Sequence, residues 1–161
     1  MAVKKIPDGY HTATPYLIIS GAARAIEFYK SAFGAVETMR MSAGGEDVMH
    51  AEIRIGDSAI MLADEFPEMG FRSPTSLGGT PVSLLLYVED VDRMFDQAMA
   101  AGAKVMRPLE NQFYGDRSGT LEDPFGHIWT IATHVEDVSP EEMQRRQAER
   151  MKACSEPIPE E

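Results

Sequence analysis

The chain has one cysteine, Cys154, in 161 residues. No internal disulfide can form, which suits the reducing cytoplasm and makes that the expected location. No apolar run approaches the ~20 residues of a membrane helix. No hydrophobic region follows Lys4 and Lys5, so neither a membrane partner nor a signal peptide is expected. Positive charge is also scarce: 15 Lys and Arg stand against 26 Asp and Glu, a formal net charge of −11. Phosphate backbones need a basic surface, so no nucleic-acid partner is expected. There is no glycine-rich phosphate loop and no Gly-x-Ser-x-Gly elbow, and Cys154 has no histidine close to it in sequence.

What is present is enough apolar residue, 43%, to bury a sizeable core, arranged as one motif written twice. Residues 12–19 read as a strand, with Pro15 near its start. Ser20 is placed to cap a helix with Ala22, Ala25, Ile26, Tyr29 and Phe33 on one face, and Gly34 stops it. Strands follow at 35–41, 48–55 and 58–63. A linker at 65–80 is punctuated by Pro67, Gly70, Pro74, Gly78 and Gly79. The order then repeats. Residues 82–88 form a strand, and Asp90 caps a helix carrying Val91, Met94, Phe95 and Ala98, which Gly102 stops. A short strand at 103–107, a long connection from Pro108 to Phe113 and a final hairpin close the half. The expected division is an N-terminal extension (1–11), a first βαβββ module (12–64), the linker, a second module (81–135), and a C-terminal helix with an acidic tail (136–161). Ser139-Pro140-Glu141-Glu142 opens that last helix as cap, N1 proline and capping box. Its polar surface fits either solvent or a subunit contact.

Two hairpins set the faces. About Gly56-Asp57, Ile53 pairs with Ile60 and Ala51 with Leu62. The covered face then holds Ala51, Ile53, Ile55, Ile60 and Leu62, and the other holds His50, Glu52, Arg54, Ala59, Met61 and Ala63. That second face reads equally as solvent-exposed or as the polar lining of a cavity. In the last hairpin, about Asp123-Pro124-Phe125-Gly126, a pairing of Glu122 with His127 puts Arg117, Gly119, Leu121, Ile128, Thr130 and Ala132 on one face. Thr120, Trp129 and Ile131 lie on the other.

Three runs carry a family resemblance. They are Tyr114-Gly115-Asp116-Arg117, Asp123-Pro124-Phe125-Gly126-His127-Ile128-Trp129 with Ala132-Thr133-His134, and Gly56-Asp57-Ser58-Ala59-Ile60-Met61-Leu62-Ala63-Asp64. With Ile26-Glu27-Phe28-Tyr29, they resemble the vicinal oxygen chelate superfamily of glyoxalase I, bleomycin-resistance proteins and extradiol dioxygenases, in its PhnB-like branch. The resemblance spans roughly residues 10–135. It implies an α+β fold in which two βαβββ modules form a cupped, eight-stranded mixed sheet with the helices outside. It also implies a small-molecule ligand held between modules or subunits, and a homodimer.

Metal-using members of that superfamily place one ligand on each of four strands. Carried across, these positions fall on Thr14, Met61, Ser83 and Thr130, three hydroxyls and a thioether. Such a set binds divalent cations poorly and argues against glyoxalase I and extradiol dioxygenase activity. No cofactor is therefore expected. A displaced divalent metal on His50 and Glu52, with His134 as a third ligand, is the minor alternative. The expected site is a ligand cavity lined by Thr14, Tyr16, Met61, Ser83, Tyr87, Tyr114, Arg117 and Thr130, Arg117 serving as an anion clamp. If the chain is a lyase, isomerase or transferase of this superfamily, His50 and Glu52 are the expected acid–base pair, their pKa values drawn towards neutrality by burial. His11 is expected near the cavity rim.

Overall fold

In a computed structural model, residues 3–155 are described, with side chains to 153. The tail beyond 155 and the thiol of Cys154 lie outside the described residues. Eight strands divide into two four-stranded sheets with no hydrogen-bonded ladder between them. The first sheet has the order β1-β4-β3-β2 and contains β1 (Tyr16–Ile19), β2 (Val36–Ser42), β3 (Val48–Ile55) and β4 (Ser58–Asp64). The second repeats that order as β5-β8-β7-β6, from β5 (Ser83–Tyr87), β6 (Lys104–Asn111), β7 (Asp116–Glu122) and β8 (Ile128–His134). In each, the first strand runs parallel to the last and the other pairs are antiparallel.

Helix α1 (Ala22–Phe33) packs on the first sheet and α3 (Val91–Ala101) on the second, and the two helices pack against each other. Both end on a glycine in the left-handed region, Gly34 at φ 66° and Gly102 at φ 119°, where a side chain would be strained. Asp90 caps α3 by accepting from the Arg93 N–H at 3.0 Å. The cap on α1 is not Ser20. Asp64, at the end of β4, accepts from the Gly21 and Ala22 N–H groups at 2.9 and 2.8 Å through one oxygen, and from Val48 at 2.8 Å through the other. A longer-range carboxylate thus replaces the local hydroxyl and ties the helix start to two strands. The linker also has structure of its own: a 3-10 turn (Pro67–Met69) and the single-turn helix α2 (Pro74–Leu77), capped by Ser73.

Two strand expectations need correction. β6 does not end at 107 before a long connection. It runs on to Asn111, with register shifts on either side of Arg107. Pro108 is accommodated in the second shift, on an edge strand whose outer N–H groups need no partner. In the last hairpin Glu122 pairs with Ile128, not His127, so Thr120 faces Thr130 and Arg117 faces Thr133. The loop is one residue longer because the Asp123 N–H bonds to the His127 carbonyl at 2.9 Å. That slip moves Arg117 and Gly119 to the helix-covered side, where a Cβ on Gly119 would meet the Phe95 ring of α3 at 2.5 Å.

The modules meet in one aromatic cluster. Trp129, fully buried, lies 4.8 Å from Phe33 and 5.3 Å from Tyr29 between ring centroids, and Phe125 lies 6.2 Å from Phe28. Within it, one oxygen of the buried Asp123 carboxylate accepts from the Phe125 and His127 N–H groups, at 2.8 and 3.0 Å. Its other oxygen accepts from Tyr29 O–H at 2.7 Å and Trp129 Nε1–H at 2.9 Å. The phenol's pKa is pushed well above its ordinary value, first by burial and then by the adjacent carboxylate. Asp123→Ala strands four donors, three of them buried, and is expected to cost about 3 kcal/mol or more. Urea denaturation should show this as a lower midpoint at unchanged slope.

Helix α4 (Pro140–Ser155) starts at its Ser139 cap, which accepts from Glu142 N–H at 3.2 Å. Arg146 holds it to the body through Glu136 at 2.7 Å.

Candidate functional site

The open face of the first sheet follows from alternation. Register places Tyr16 on β1 beside Met61 on β4, and Met61 beside Glu52 on β3. His50 is two residues from Glu52 on the same face. These side chains form a chain of hydrogen bonds. Tyr16 Oη lies 2.8 Å from His50 Nδ1, and His50 Nε2 lies 3.3 Å from Glu52 Oε1. The other Glu52 oxygen accepts from the Tyr10 hydroxyl. Glu52 is only 8% exposed, while Tyr16 is 47% exposed.

The Glu52 carboxyl is held below its usual range, first by Tyr10 donation and then by His50, which together outweigh desolvation. The expected drift towards neutrality is therefore reversed for Glu52. An ionised Glu52 only accepts, so a neutral His50 carries its proton on Nε2 and takes the Tyr16 O–H at Nδ1. Tyr16 is itself shifted up, first by burial and then by the negative Glu52, and stays a phenol.

The N-terminal extension covers part of this face. Besides the Tyr10 bond, Arg54 Nη2 donates to the Gly9 carbonyl at 3.2 Å. Between the extension and the sheet is an open cleft of about 530 Å³ lined by Lys5, Ile6, Pro7, Tyr10, His11, Thr12, Thr14, Glu52 and Met61. Thr14, Tyr16, His50, Glu52 and Met61 are thus gathered on or beside one surface, with His11 at its edge.

Ser83, Tyr87 and Thr130 lie instead on the open face of the second sheet. There Thr130 Oγ1 is 3.0 Å from Thr120 Oγ1, and Tyr87 O–H donates to the buried Asp116 at 2.8 Å. Asp116 also meets His134 Nδ1 at 2.8 Å, and Asp137 meets Nε2 at 3.0 Å, raising the imidazole pKa, Asp116 contributing most. Tyr114 is near enough to Tyr87 to raise its phenol pKa slightly, though the Asp116 bond dominates. Arg117 is not among them. It forms a two-pronged pair with Asp92 of α3, at 2.6 and 2.8 Å, on the helix side. Sequence reasoning missed Tyr10, because nothing periodic marks the extension. It also took Arg117 for the site where its neighbour Asp116 stands, a direct consequence of the one-residue register slip.

A family model described as the glyoxalase/bleomycin resistance protein/dioxygenase superfamily matches residues 10–131. The chain belongs to that superfamily. It is 46% identical over 134 residues to a protein of Mycobacterium tuberculosis, covering 81% of this chain and 79% of that one. Among solved structures, a Pseudomonas aeruginosa protein, PA1353, superposes with a TM-score of 0.63 at 25% identity, over 78% of this chain and 99% of its own. The PhnB protein of Bacillus cereus gives a TM-score of 0.58 at 22% identity, over 76% of this chain and 99% of its own.

The positions that carry metal ligands in metal-using members of the superfamily hold neutral side chains here. Thr14, Met61, Ser83 and Thr130 offer no carboxylate or imidazole, and the Thr130 hydroxyl is engaged by Thr120. The displaced set also fails, since both ring nitrogens of His50 are engaged and His134 is committed to Asp116 and Asp137 on the other sheet. Among the described residues, neither set of positions brings three carboxylate, imidazole or thiolate ligands together for a divalent cation.

A depressed folded-state pKa contributes stability above the ordinary Glu range and loses it as pH falls through the folded value. Tyr10→Phe is therefore expected to destabilise the protein at neutral pH, with the gap from wild type closing as Glu52 protonates. Denaturation midpoints across acidic pH check this, and a carboxyl-carbon NMR titration should show the Glu52 pKa rising in the variant.

Proposed function

We propose that this chain binds a small organic molecule, without a metal at the four inherited positions, in the cleft beneath residues 5–14. Superfamily membership supports small-molecule binding in general. The observation that carries the finer reading is the cleft itself, about 530 Å³ and floored by Met61 and Glu52. Ile6, Pro7 and the adaptable Met61 thioether offer apolar contact, and Lys5 and His11 favour a ligand bearing a carboxylate or another anion. The chemistry of the donor set argues against chelation. Assembly as a homodimer fits the same picture. Tyr16 and Met41 on the first open face, and Leu85 and Tyr87 on the second, are about half exposed or more, and a second copy would cover such apolar area.

Met61→Trp, which fills the cleft, should abolish binding of carboxylic acids that raise the melting temperature of wild type. The variant's own unfolding should stay within a few degrees. Undiminished binding, or a stoichiometric metal found by elemental analysis, would overturn the reading. Sedimentation equilibrium at tens of micromolar is expected to give a dimer, and a monomer there would remove the assembly.

A further inference from the structure

A carboxylate at position 52 is costly. It sits 8% exposed on a sheet face where an apolar side chain would cover Met61 without desolvating a charge. Its two oxygens are held by two different donors, and the imidazole it holds reaches a half-exposed phenol. Buried acid, imidazole and accessible hydroxyl are joined by successive hydrogen bonds, a path for a proton between the open face and the imidazole.

We infer that this face is an acid–base site interconverting the enol and keto forms of a 2-oxo acid that carries an apolar group. Tyr16 is the catalytic residue, His50 takes up the proton, and Glu52 is a positioning residue. The inference rests on the ligand-binding reading above. The substrate class follows from what surrounds the path. Tyr16 pairs with Met61, and Met61 lines the cleft together with Thr14. A ligand with its carboxylate near Lys5 and its apolar body against Ile6 and Met61 lies alongside Tyr16, the register partner of Met61, and its enol oxygen meets that phenol.

The enol O–H passes its proton to Tyr16 Oη as the phenol proton moves to His50 Nδ1. Water supplies a proton to C3 of the substrate, forming the C–H bond of the ketone. The imidazolium, held at Nε2 by Glu52, then returns its proton to the hydroxide left by that water. One O–H bond breaks, one C–H bond forms, and nothing is oxidised or reduced.

The test uses phenylpyruvate, whose enol is followed by its ultraviolet absorbance, with binding measured separately by calorimetry. Wild type should accelerate enol loss above the buffer rate, with or without a chelator. Tyr16→Phe should lose about 100-fold of that acceleration with affinity unchanged within a few fold. Glu52→Gln should lower kcat and leave KM nearly unchanged, with circular dichroism confirming its fold. Phenylpyruvate bound at the buffer rate, or full activity in Tyr16→Phe, overturns the inference and leaves the binding reading standing. Failure of phenylpyruvate to bind overturns the inference for this substrate class. Failure of every carboxylic acid to bind removes the binding reading as well.

Discussion

The Asp123 carboxylate is the point on which the two halves of the molecule depend. A sheet of four strands with one helix has an apolar edge that it cannot cover by itself, and here each half covers the other's. Packing alone would allow the helices to slide. The carboxylate removes that freedom, because its four donors come from the turn it sits in, from the following strand and from helix α1 of the other module. A buried charge so fully bonded costs little in place and much when broken, so it selects one relative placement of the modules. Trp129 then fills the space that this placement leaves.

With the apolar faces committed inward, the opposite faces are left open and become the chemically distinctive part. They are not alike. On the first, an imidazole links a phenol to a buried carboxylate, and the N-terminal extension folds over them. On the second, a buried Asp116 joins a phenol to an imidazole that a second acid also holds. The same backbone plan thus presents two polar assemblies with different protonation behaviour. Glu52 is kept ionised by hydrogen bonds, while His134 is kept protonated more readily by its two carboxylates.

How much was legible from sequence differs between the two hairpins. About Gly56-Asp57 the turn is tight, the apolar alternation on both strands agrees with it, and the pairing of Glu52 with Met61 follows. About Asp123-Pro124-Phe125-Gly126 the loop carries one more residue, closed by a hydrogen bond across it. Since the side-chain period of a strand is two, that single residue exchanged the faces of β7. Arg117 was read as an anion clamp and is instead the partner of Asp92, whereas Asp116 beside it belongs to the open face. Similarly, Ser20 was a sound local cap, but Asp64 arrives from a distant strand with two acceptor oxygens and takes the position.

The sequence by itself determined the doubled βαβββ order, the glycine stops of both helices and the superfamily. Each of these rests on periodicity or residue type, which are local properties. Only the tertiary structure decided which phenol reaches which carboxylate, which oxygen caps which helix, and that the extension before the first strand closes over the open face. Those contacts join residues far apart in the chain. Tyr10 and Glu52 are 42 positions apart, and Tyr29 and Asp123 are 94 apart. No pattern within a window of sequence specifies such a pairing, because it forms only once packing has brought both partners to the same place.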